Sequence, residues 1–176
     1  MKVAGVIAGL AMLAGAGPAA AEVTASSPQG FQSRTAAHVG ATPAKVWAAL
    51  LQPPRWWSPA HTYSGDAANL SLKTEAGGCF CERLADGGSV QHAQVVQVRP
   101  ERLLRLSGGL GPLQGEGVAA AWTFSIQAAN DGTRVTQTMT VGGWSPAGLD
   151  ALAAPVDGVL AQQLERLKRL VETGAP

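Results

Sequence analysis

Charged side chains are scarce in this sequence and balanced in sign. Lysine and arginine together number 13, aspartate and glutamate 12, and charged residues make up 14% of the 176 residues. No segment of the chain concentrates its basic residues. Proteins that bind nucleic acid or anionic lipid surfaces carry clustered lysine and arginine. We therefore expect neither of them as a partner.

Several motifs of enzyme chemistry are also missing. The sequence contains no G-x-S-x-G, no P-loop, no H-E-x-x-H and no dinucleotide-binding fingerprint beside a βαβ unit. Glu75, Glu82 and Glu116 are scattered over predicted strands and turns, without the spacing of two cooperating carboxylates. These absences predict that the protein uses no cofactor.

Long hydrophobic runs are limited to the N-terminus. The apolar run 3–13 follows a single basic residue, Lys2, and precedes three alanines, 19–21, that have the A-x-A pattern of a cleavage site. The run is too short for a stable membrane-spanning helix, and a buried N-terminal helix is the alternative. The pattern predicts a signal peptide over residues 1–21, a flexible leader over 22–29 and no membrane span in the mature chain. We expect export across the inner membrane, to the periplasm if the source is a Gram-negative bacterium.

The remaining chain shows two periodicities. Apolar residues recur every three or four positions from Pro146 to Glu172, as on one face of a long helix. Thr42-Pro43 is typical of a helix start, and residues 55–57 predict a second short helix. Alternation with period two predicts seven strands, at residues 31–39, 70–75, 78–84, 89–98, 102–107, 118–127 and 133–141.

This order of elements predicts one α+β domain over residues 30–174. Short links between successive strands favour antiparallel pairing. A seven-stranded antiparallel sheet curves, and the single long C-terminal helix can close its open side. With two short helices after the first strand, this is the helix-grip architecture.

Particular residues carry a resemblance to a known superfamily. They are Pro43-Ala44-Lys45-Val46-Trp47, the pair Trp56-Trp57, Gly77-Gly78 and the final helix 155–170. With them the sequence resembles the SRPBCC (START/Bet v 1-like) superfamily over roughly residues 31–173. The run Trp57-Ser58-Pro59-Ala60-His61-Thr62-Tyr63-Ser64-Gly65-Asp66 is similar to exported bacterial members related to the polyketide cyclase and chaperone-ATPase-activator branches. The resemblance implies a deep cavity between the curved sheet and the C-terminal helix.

Several residues of the last strands and of the helix are expected to face inward, mainly as core and secondarily as cavity wall. They are Trp122, Phe124, Gln137 and Met139 on the strands, with Val156 and Leu160 on the helix. The glycine-rich residues 108–113 are interpreted as a mobile hairpin loop that can cover the cavity.

Polar residues in an inward phase are the informative exceptions. The valines of strand 89–98 define its inward face, which places His92 and Gln94 on the same side. Gln137 faces inward by the same argument. A buried polar group without a partner costs ~1–3 kcal/mol. Two interpretations stay open: a hydrogen-bonded network in the core, or polar anchors for a bound ligand.

Aromatic and polar residues crowd the segment before the first long run of strands. Trp56, Trp57, His61 and Tyr63 are predicted ligand contacts at the cavity mouth, because such side chains combine an apolar body with a polar tip. Imidazole titrates near neutrality, so His61 is a candidate proton carrier. The alternative is that both tryptophans fill the core and that Asp66 is a turn residue.

Cys79 and Cys81 flank one residue of a predicted strand, so both side chains point to the same face. Three interpretations stay open: two free thiols, which we favour, a strained disulfide, or a soft-metal site with a histidine. C-x-C alone is a weak metal signal, and no metal site is predicted.

The sequence favours an exported protein that binds a hydrophobic small molecule between sheet and helix. The first alternative is an enzyme of the cyclase, aromatase or isomerase type. In that enzyme His92 or His61 acts as a general base, and Tyr63 or Gln94 polarises a carbonyl. The second alternative is a stress-related interaction protein without a cavity. Oligomeric state and ligand identity are not predicted.

Overall fold

A computed structural model describes residues 20–176, in which one antiparallel sheet of eight strands packs against a long helix. The strands are β1 (Ala20–Ser27), β2 (Gly30–Val39), β3 (Leu70–Leu72), β4 (Cys79–Arg83), β5 (Ser89–Arg99), β6 (Leu103–Ser107), β7 (Gly117–Ala129) and β8 (Gly132–Trp144). The helices are α1 (Pro43–Leu50), α2 (Pro53–Trp56) and α3 (Asp150–Thr173). The strand order is β1-β2-β8-β7-β6-β5-β4-β3, and the sheet is open. The α+β class, the antiparallel sheet and the C-terminal helix are therefore confirmed.

The sheet has one strand more than predicted. Residues 22–27, predicted as a flexible leader, belong to β1, which pairs with β2 along the edge of the sheet. An edge strand that faces water on one side tolerates serine, threonine and glutamate, so its composition is similar to that of a leader. The turn into β2 needs a glycine, because a Cβ on Gly30 would lie 2.4 Å from the carbonyl oxygen of Val141. Apart from residues 20 and 21, the predicted signal peptide lies outside the described residues.

Local chemistry accounts for the start of α1 and the end of α3, whereas α2 and α3 begin without a side-chain cap, at Pro53 and Asp150. The side chain of Thr42 accepts a hydrogen bond from the amide of Lys45, and Pro43 takes the first position of α1. The long helix α3 ends at Gly174, whose φ of 87° suits glycine and whose amide donates to the carbonyl of Leu170. None of the helices in residues 20–176 is both long enough and apolar enough to cross a membrane.

Two bulges in β5 change which residues face the helix. Ala93 and Gln91 pair with consecutive residues of β4, which leaves His92 between them as an extra residue. A second irregularity lies at Val96. After the first bulge the inward phase moves by one residue, so His92 is buried while Gln94 and Val96 are exposed. The inward orientation predicted for His92 is thus correct, and that predicted for Gln94 is wrong.

The centre of the sheet is covered by packed side chains. Trp122, Phe124 and Met139 are buried there, in the same hydrophobic core as the apolar face of α3. The void beside Trp122 and Phe124 is also lined by residues of α1 and α2, and its volume of about 10 Å³ is at the limit of what one water molecule needs. These three side chains therefore form core, the first of the two roles expected for them.

Candidate functional site

A pocket of about 450 Å³ lies toward the N-terminal half of α3 and opens to solvent. Three chain segments and one strand residue form its walls. They are Trp57, His61, Thr62 and Tyr63; the loop residues Leu110, Gly111 and Pro112; Pro155, Val156, Val159 and Leu160 of α3; and His92 of β5. Most of this lining is apolar, as in sites for small organic molecules.

The segment of residues 57–66, here called the mouth segment, is held on α3 by polar side chains of the helix. The amide of Ser58 donates to Oε1 of Gln163 at 2.8 Å, and Nε of Arg166 donates to the carbonyl of Trp56 at 2.8 Å. Nε2 of His61 lies 2.8 Å from Oε1 of Gln162. The helix therefore both lines the pocket and positions the loop that faces it.

Trp57 fixes the inner end of the mouth segment. Its indole nitrogen donates to the carbonyl of His61 at 2.8 Å, which closes a short turn of the chain. Its ring packs edge-on against Phe80 and Trp122, with centroids 5.5 and 5.9 Å away. The indole is thus anchored in the core on one side and lines the pocket on the other.

One residue of the pocket wall, His92, forms a buried pair with Glu82, which lies behind the wall. Nε2 of His92 lies 2.9 Å from Oε2 of Glu82, and the two residues are 5% and 1% exposed. The carboxylate also accepts hydrogen bonds from the amides of Tyr63 at 3.1 Å and Ser64 at 2.5 Å. Glu82 therefore joins the sheet, the mouth segment and His92.

The surroundings of Glu82 favour its ionised form. Burial by itself raises the pKa of this carboxyl group, but hydrogen bonds from Ser64, Tyr63 and His92 outweigh it and lower the pKa below the ordinary value of 4.5. An ionised carboxylate can only accept a hydrogen bond, so Nε2 of His92 carries the proton that it donates. In the neutral ring Nδ1 is then an acceptor, and it has no hydrogen-bond partner within residues 20–176.

Tyr63 lies over the outer side of the pocket. Its hydroxyl donates to the carbonyl of Gly111 at 3.1 Å, which links the mouth segment to the loop between β6 and β7. The ring centroid is 5.8 Å from that of His92, and 54% of the residue is exposed. The loop predicted to cover the cavity thus forms part of the pocket wall and is joined to the opposite rim.

The structure brings together half of the side chains that the sequence singled out as ligand contacts. Trp57, His61, Tyr63, His92, Val156 and Leu160 line the pocket, whereas Trp56, Gln94, Trp122, Phe124, Gln137 and Met139 do not. Gln94 is exposed because of the bulge at His92. Trp56 is buried, and its indole donates to the carbonyl of Leu50 at 3.3 Å.

Gln137 belongs to a hydrogen-bonded network in the core. Its Oε1 accepts from the indole of Trp122 at 3.2 Å, and its Nε2 donates to the carbonyl of Leu160. Both ends of the amide are therefore satisfied by protein groups. Of the two interpretations left open for this residue, the structure supports the core network.

Sequence reasoning missed the residue that orients His92. Glu82 was grouped with two unrelated carboxylates, although alternation along β4 places it on the same face as the apolar Phe80. A carboxylate on the inward face of a strand needs a buried partner, and this signal could have found it. Gln162 and Arg166 gave no comparable signal, because the helical pattern puts them on the polar face of α3, which is expected to be exposed. Gln163 is next to that face in the sequence.

The two cysteines lie outside the pocket. Cys79 and Cys81 are joined by a disulfide, with Cα atoms 5.4 Å apart. The preferred interpretation as two free thiols is therefore wrong. No cluster of potential metal ligands is present among the described residues.

Comparison with known proteins agrees with the fold. The family model described as polyketide cyclase/dehydrase and lipid transport matches residues 30–172. The chain belongs to this family, which is of the SRPBCC type. The resemblance stated from the sequence is thus confirmed. A search among curated proteins found no match.

Several solved structures share the fold at low sequence identity. MLL2253 from Mesorhizobium loti is 20% identical, with 80% of this chain and 96% of that chain covered and a TM-score of 0.59. CalU16 from Micromonospora echinospora is 17% identical, with coverage of 90% and 84% and a TM-score of 0.59. DynU16, a protein in the dynemicin biosynthetic locus, is 20% identical, with coverage of 81% and 48% and a TM-score of 0.56.

Proposed function

We propose that this protein binds a hydrophobic small molecule that carries one hydrogen-bonding group, with that group on Nδ1 of His92. The observation that carries the proposal is the pocket itself, which is lined mainly by apolar side chains around one buried, oriented imidazole. Because Glu82 fixes the donor at Nε2, Nδ1 suits a ligand hydroxyl or another hydrogen-bond donor. Membership of a family named for polyketide cyclisation and lipid transport agrees with an apolar ligand.

The size of the pocket suits this role. A volume of about 450 Å³ falls within the roughly 300–1,000 Å³ of small-molecule sites. Burial of ~300 Å² of apolar ligand surface at roughly 25 cal/mol/Å² contributes about 7 kcal/mol before the cost of association. This supports micromolar binding without any covalent step. The pocket also weighs against the interpretation as an interaction protein without a cavity.

The binding proposal is tested by filling the pocket. Val159 is half-buried on α3 and faces the pocket, so Val159→Trp adds bulk inside it. Isothermal titration calorimetry with 1-naphthol reports occupancy independently of the five native tryptophans and of the one that the variant adds. We expect Val159→Trp to weaken binding at least tenfold. The matched control is Val96→Trp, because Val96 is 47% exposed on the outer face of β5.

Native mass spectrometry of the protein purified from its own compartment complements the titration. A co-purifying small molecule that is lost in Val159→Trp supports the proposal. If wild type carries none, and neither 1-naphthol nor longer apolar alcohols bind to it, the binding proposal is wrong.

A second candidate function is acid–base catalysis, and the Glu82–His92 pair favours it. If His92 acts as the base, it accepts a proton at Nδ1 and becomes an imidazolium. The carboxylate of Glu82, 2.9 Å from Nε2, stabilises this cation. This arrangement suits proton abstraction next to a carbonyl group, the first step of cyclisation or isomerisation. His61 also lines the pocket, but its imidazole is at the exposed rim and contacts Gln162.

Proton abstraction is measured with 2-tetralone as an enolisable probe in D₂O. Nuclear magnetic resonance then shows whether the protein accelerates deuterium incorporation, and whether His92→Gln abolishes the effect. His61→Gln is the comparison variant. If 2-tetralone binds but its deuterium exchange is no faster than in buffer, the catalytic function is wrong and the binding function still holds.

We also propose that the protein acts after export. The support is the predicted signal peptide over residues 1–21, with its apolar run and A-x-A pattern. N-terminal sequencing of the protein from a cell fractionation is the direct test. A mature chain that begins at Glu22 in the periplasmic fraction is the expected result, and an uncleaved chain in the cytoplasm would contradict it.

A further inference from the structure

The disulfide of β4 lies on the opposite face of the sheet from the pocket. In β4 the side chains of Phe80 and Glu82 are buried on the inner face, so Cys79 and Cys81 lie on the outer face. Both cysteines are partly exposed. Their Cα atoms are 5.4 Å apart, within the roughly 4.4–6.8 Å usual for a disulfide. A reagent in solution can therefore reach this bond without entering the pocket.

This cross-link does little to hold the fold together. Only Phe80 separates the two cysteines, so the bond joins two positions of one strand. Stabilisation by a disulfide grows with the length of chain that it closes, and here that length is minimal. The bond also connects no two strands or helices. Reduction of this bond should consequently leave the fold intact, whereas reduction of a disulfide that joins distant segments would destabilise it.

Two basic residues lie next to the cysteines in the sheet. The amide of Lys73 donates to the carbonyl of Cys79 at 3.0 Å, and Lys73 is exposed. Because Leu72 pairs with the inward-facing Phe80, alternation puts Lys73 on the outer face with Cys79. Arg83 follows two positions after Cys81 in β4 and shares that face. The paired residues on the adjoining strands are uncharged: Ser71, Gln91 and Gln94. A nearby positive charge stabilises a leaving thiolate and an approaching one, which accelerates exchange.

We propose that Cys79 and Cys81 form a thiol–disulfide exchange site whose substrate is a dithiol. One thiolate of the substrate attacks a cysteine sulfur, forms a mixed disulfide and releases the other cysteine as a thiolate. The second thiol of the substrate then attacks the substrate's sulfur atom in the mixed disulfide and releases the second cysteine as a thiolate. The substrate leaves as a disulfide, and the protein gains two electrons and two protons. This site is separate from the pocket and does not depend on the proposed ligand.

The experiment uses the folded, air-oxidised full chain and dithiothreitol as the dithiol. Samples equilibrated with reduced and oxidised dithiothreitol are quenched with N-ethylmaleimide, and mass spectrometry counts the modified cysteines. We expect full, reversible reduction while circular dichroism shows an unchanged fold. Cys81→Ser leaves Cys79 as a free thiol, which should react with 5,5′-dithiobis(2-nitrobenzoate) without denaturant, forming a mixed disulfide and releasing one 5-thio-2-nitrobenzoate.

The charged residues provide the matched comparison. Lys73→Gln and Arg83→Gln should each slow reduction about threefold to tenfold at low salt, because each removes a cation beside the leaving thiolate. Arg34→Gln makes the same change on exposed Arg34 of β2, distant in the strand order, and should leave the rate unchanged. Reduction only after denaturation overturns the proposal. So does isolation of the protein with both thiols free in air, or a rate that neither variant changes.

Discussion

Nε2 of His92 and Oε2 of Glu82 lie 2.9 Å apart inside the protein, where a bulge in β5 meets the next strand. Glu82 holds this contact together with the amides of Tyr63 and Ser64. One carboxylate thus determines the orientation of the imidazole and the position of the mouth segment.

Glu82→Gln should destabilise the protein and weaken binding. The amide that replaces the carboxylate carries no charge. Its nitrogen cannot accept the hydrogen bonds that Glu82 accepts from the backbone amides and from His92. Loss of charge-assisted hydrogen bonds in a buried site costs about 1–3 kcal/mol, measured as the free energy of unfolding in urea. Glu75→Gln is the control, since Glu75 is exposed in a turn. Equal stability of the two variants would show that the buried contacts of Glu82 contribute nothing.

The contribution of Glu82 should disappear in acid. Its pKa is lowered in the folded protein relative to 4.5, so the stabilisation is complete above that value and is lost as the pH falls through the folded pKa. Thermal melts of wild type and Glu82→Gln between pH 7 and pH 3 test this. The difference in melting temperature should be constant down to about pH 5 and shrink below it. A difference that grows toward low pH would mean that the pKa is raised.

Gln137→Leu should lower stability and leave ligand affinity unchanged. The substitution removes the partners of the Trp122 indole and of the Leu160 carbonyl, both in the core. Unpaired buried groups cost about 1–3 kcal/mol each, seen as a lower midpoint of urea unfolding. Gln94→Leu on the exposed side of β5 should change stability by no more than about 0.5 kcal/mol. A tenfold loss of 1-naphthol affinity in stable Gln137→Leu would instead place this amide in the binding site.

Arg166→Ala should loosen the mouth segment. Nε of Arg166 donates to the carbonyl of Trp56, and a hydrogen bond to a charged group contributes about 1.5–3 kcal/mol. We expect amide hydrogen exchange of residues 57–66 to become at least tenfold faster, with weaker binding as a consequence. Arg169→Ala removes an exposed arginine of the same helix and should change neither. Unaltered exchange in both variants would show that other contacts position the segment.

The architecture was predictable because it rests on repeated local signals. The alternation along β7 and β8 and the apolar stripe of α3 each involve many residues, so single exceptions do not change the pattern. The start of α1 followed from Thr42 and Pro43 alone. β1 escaped prediction because its polar sequence suits an edge strand as well as a leader.

The site was less predictable, because it depends on contacts between distant parts of the chain. Strict alternation places His92 and Gln94 on the same face, and only the pairing of β4 with β5 reveals the bulge that separates them. Glu82 meets the mouth segment through two backbone amides, Tyr63 and Ser64, and backbone groups leave no trace in a sequence pattern. The extent of the cavity implied by the resemblance could not be predicted for a related reason. Side-chain volumes decide whether Trp122 and Phe124 line a space or fill it, and alternation does not report volume.

The walls of the pocket have a consequence for how this protein can change over evolutionary time. Apart from His92, the lining comes from two loops and from one stretch of α3, while the central strands are occupied by packed core. Substitutions of the exposed residues His61, Tyr63 and Pro112 can therefore alter the shape and polarity of the pocket rim with little penalty to folding. Trp57, Val156 and Leu160 belong to both pocket and core, so under the proposed function new specificities should arise first at the rim.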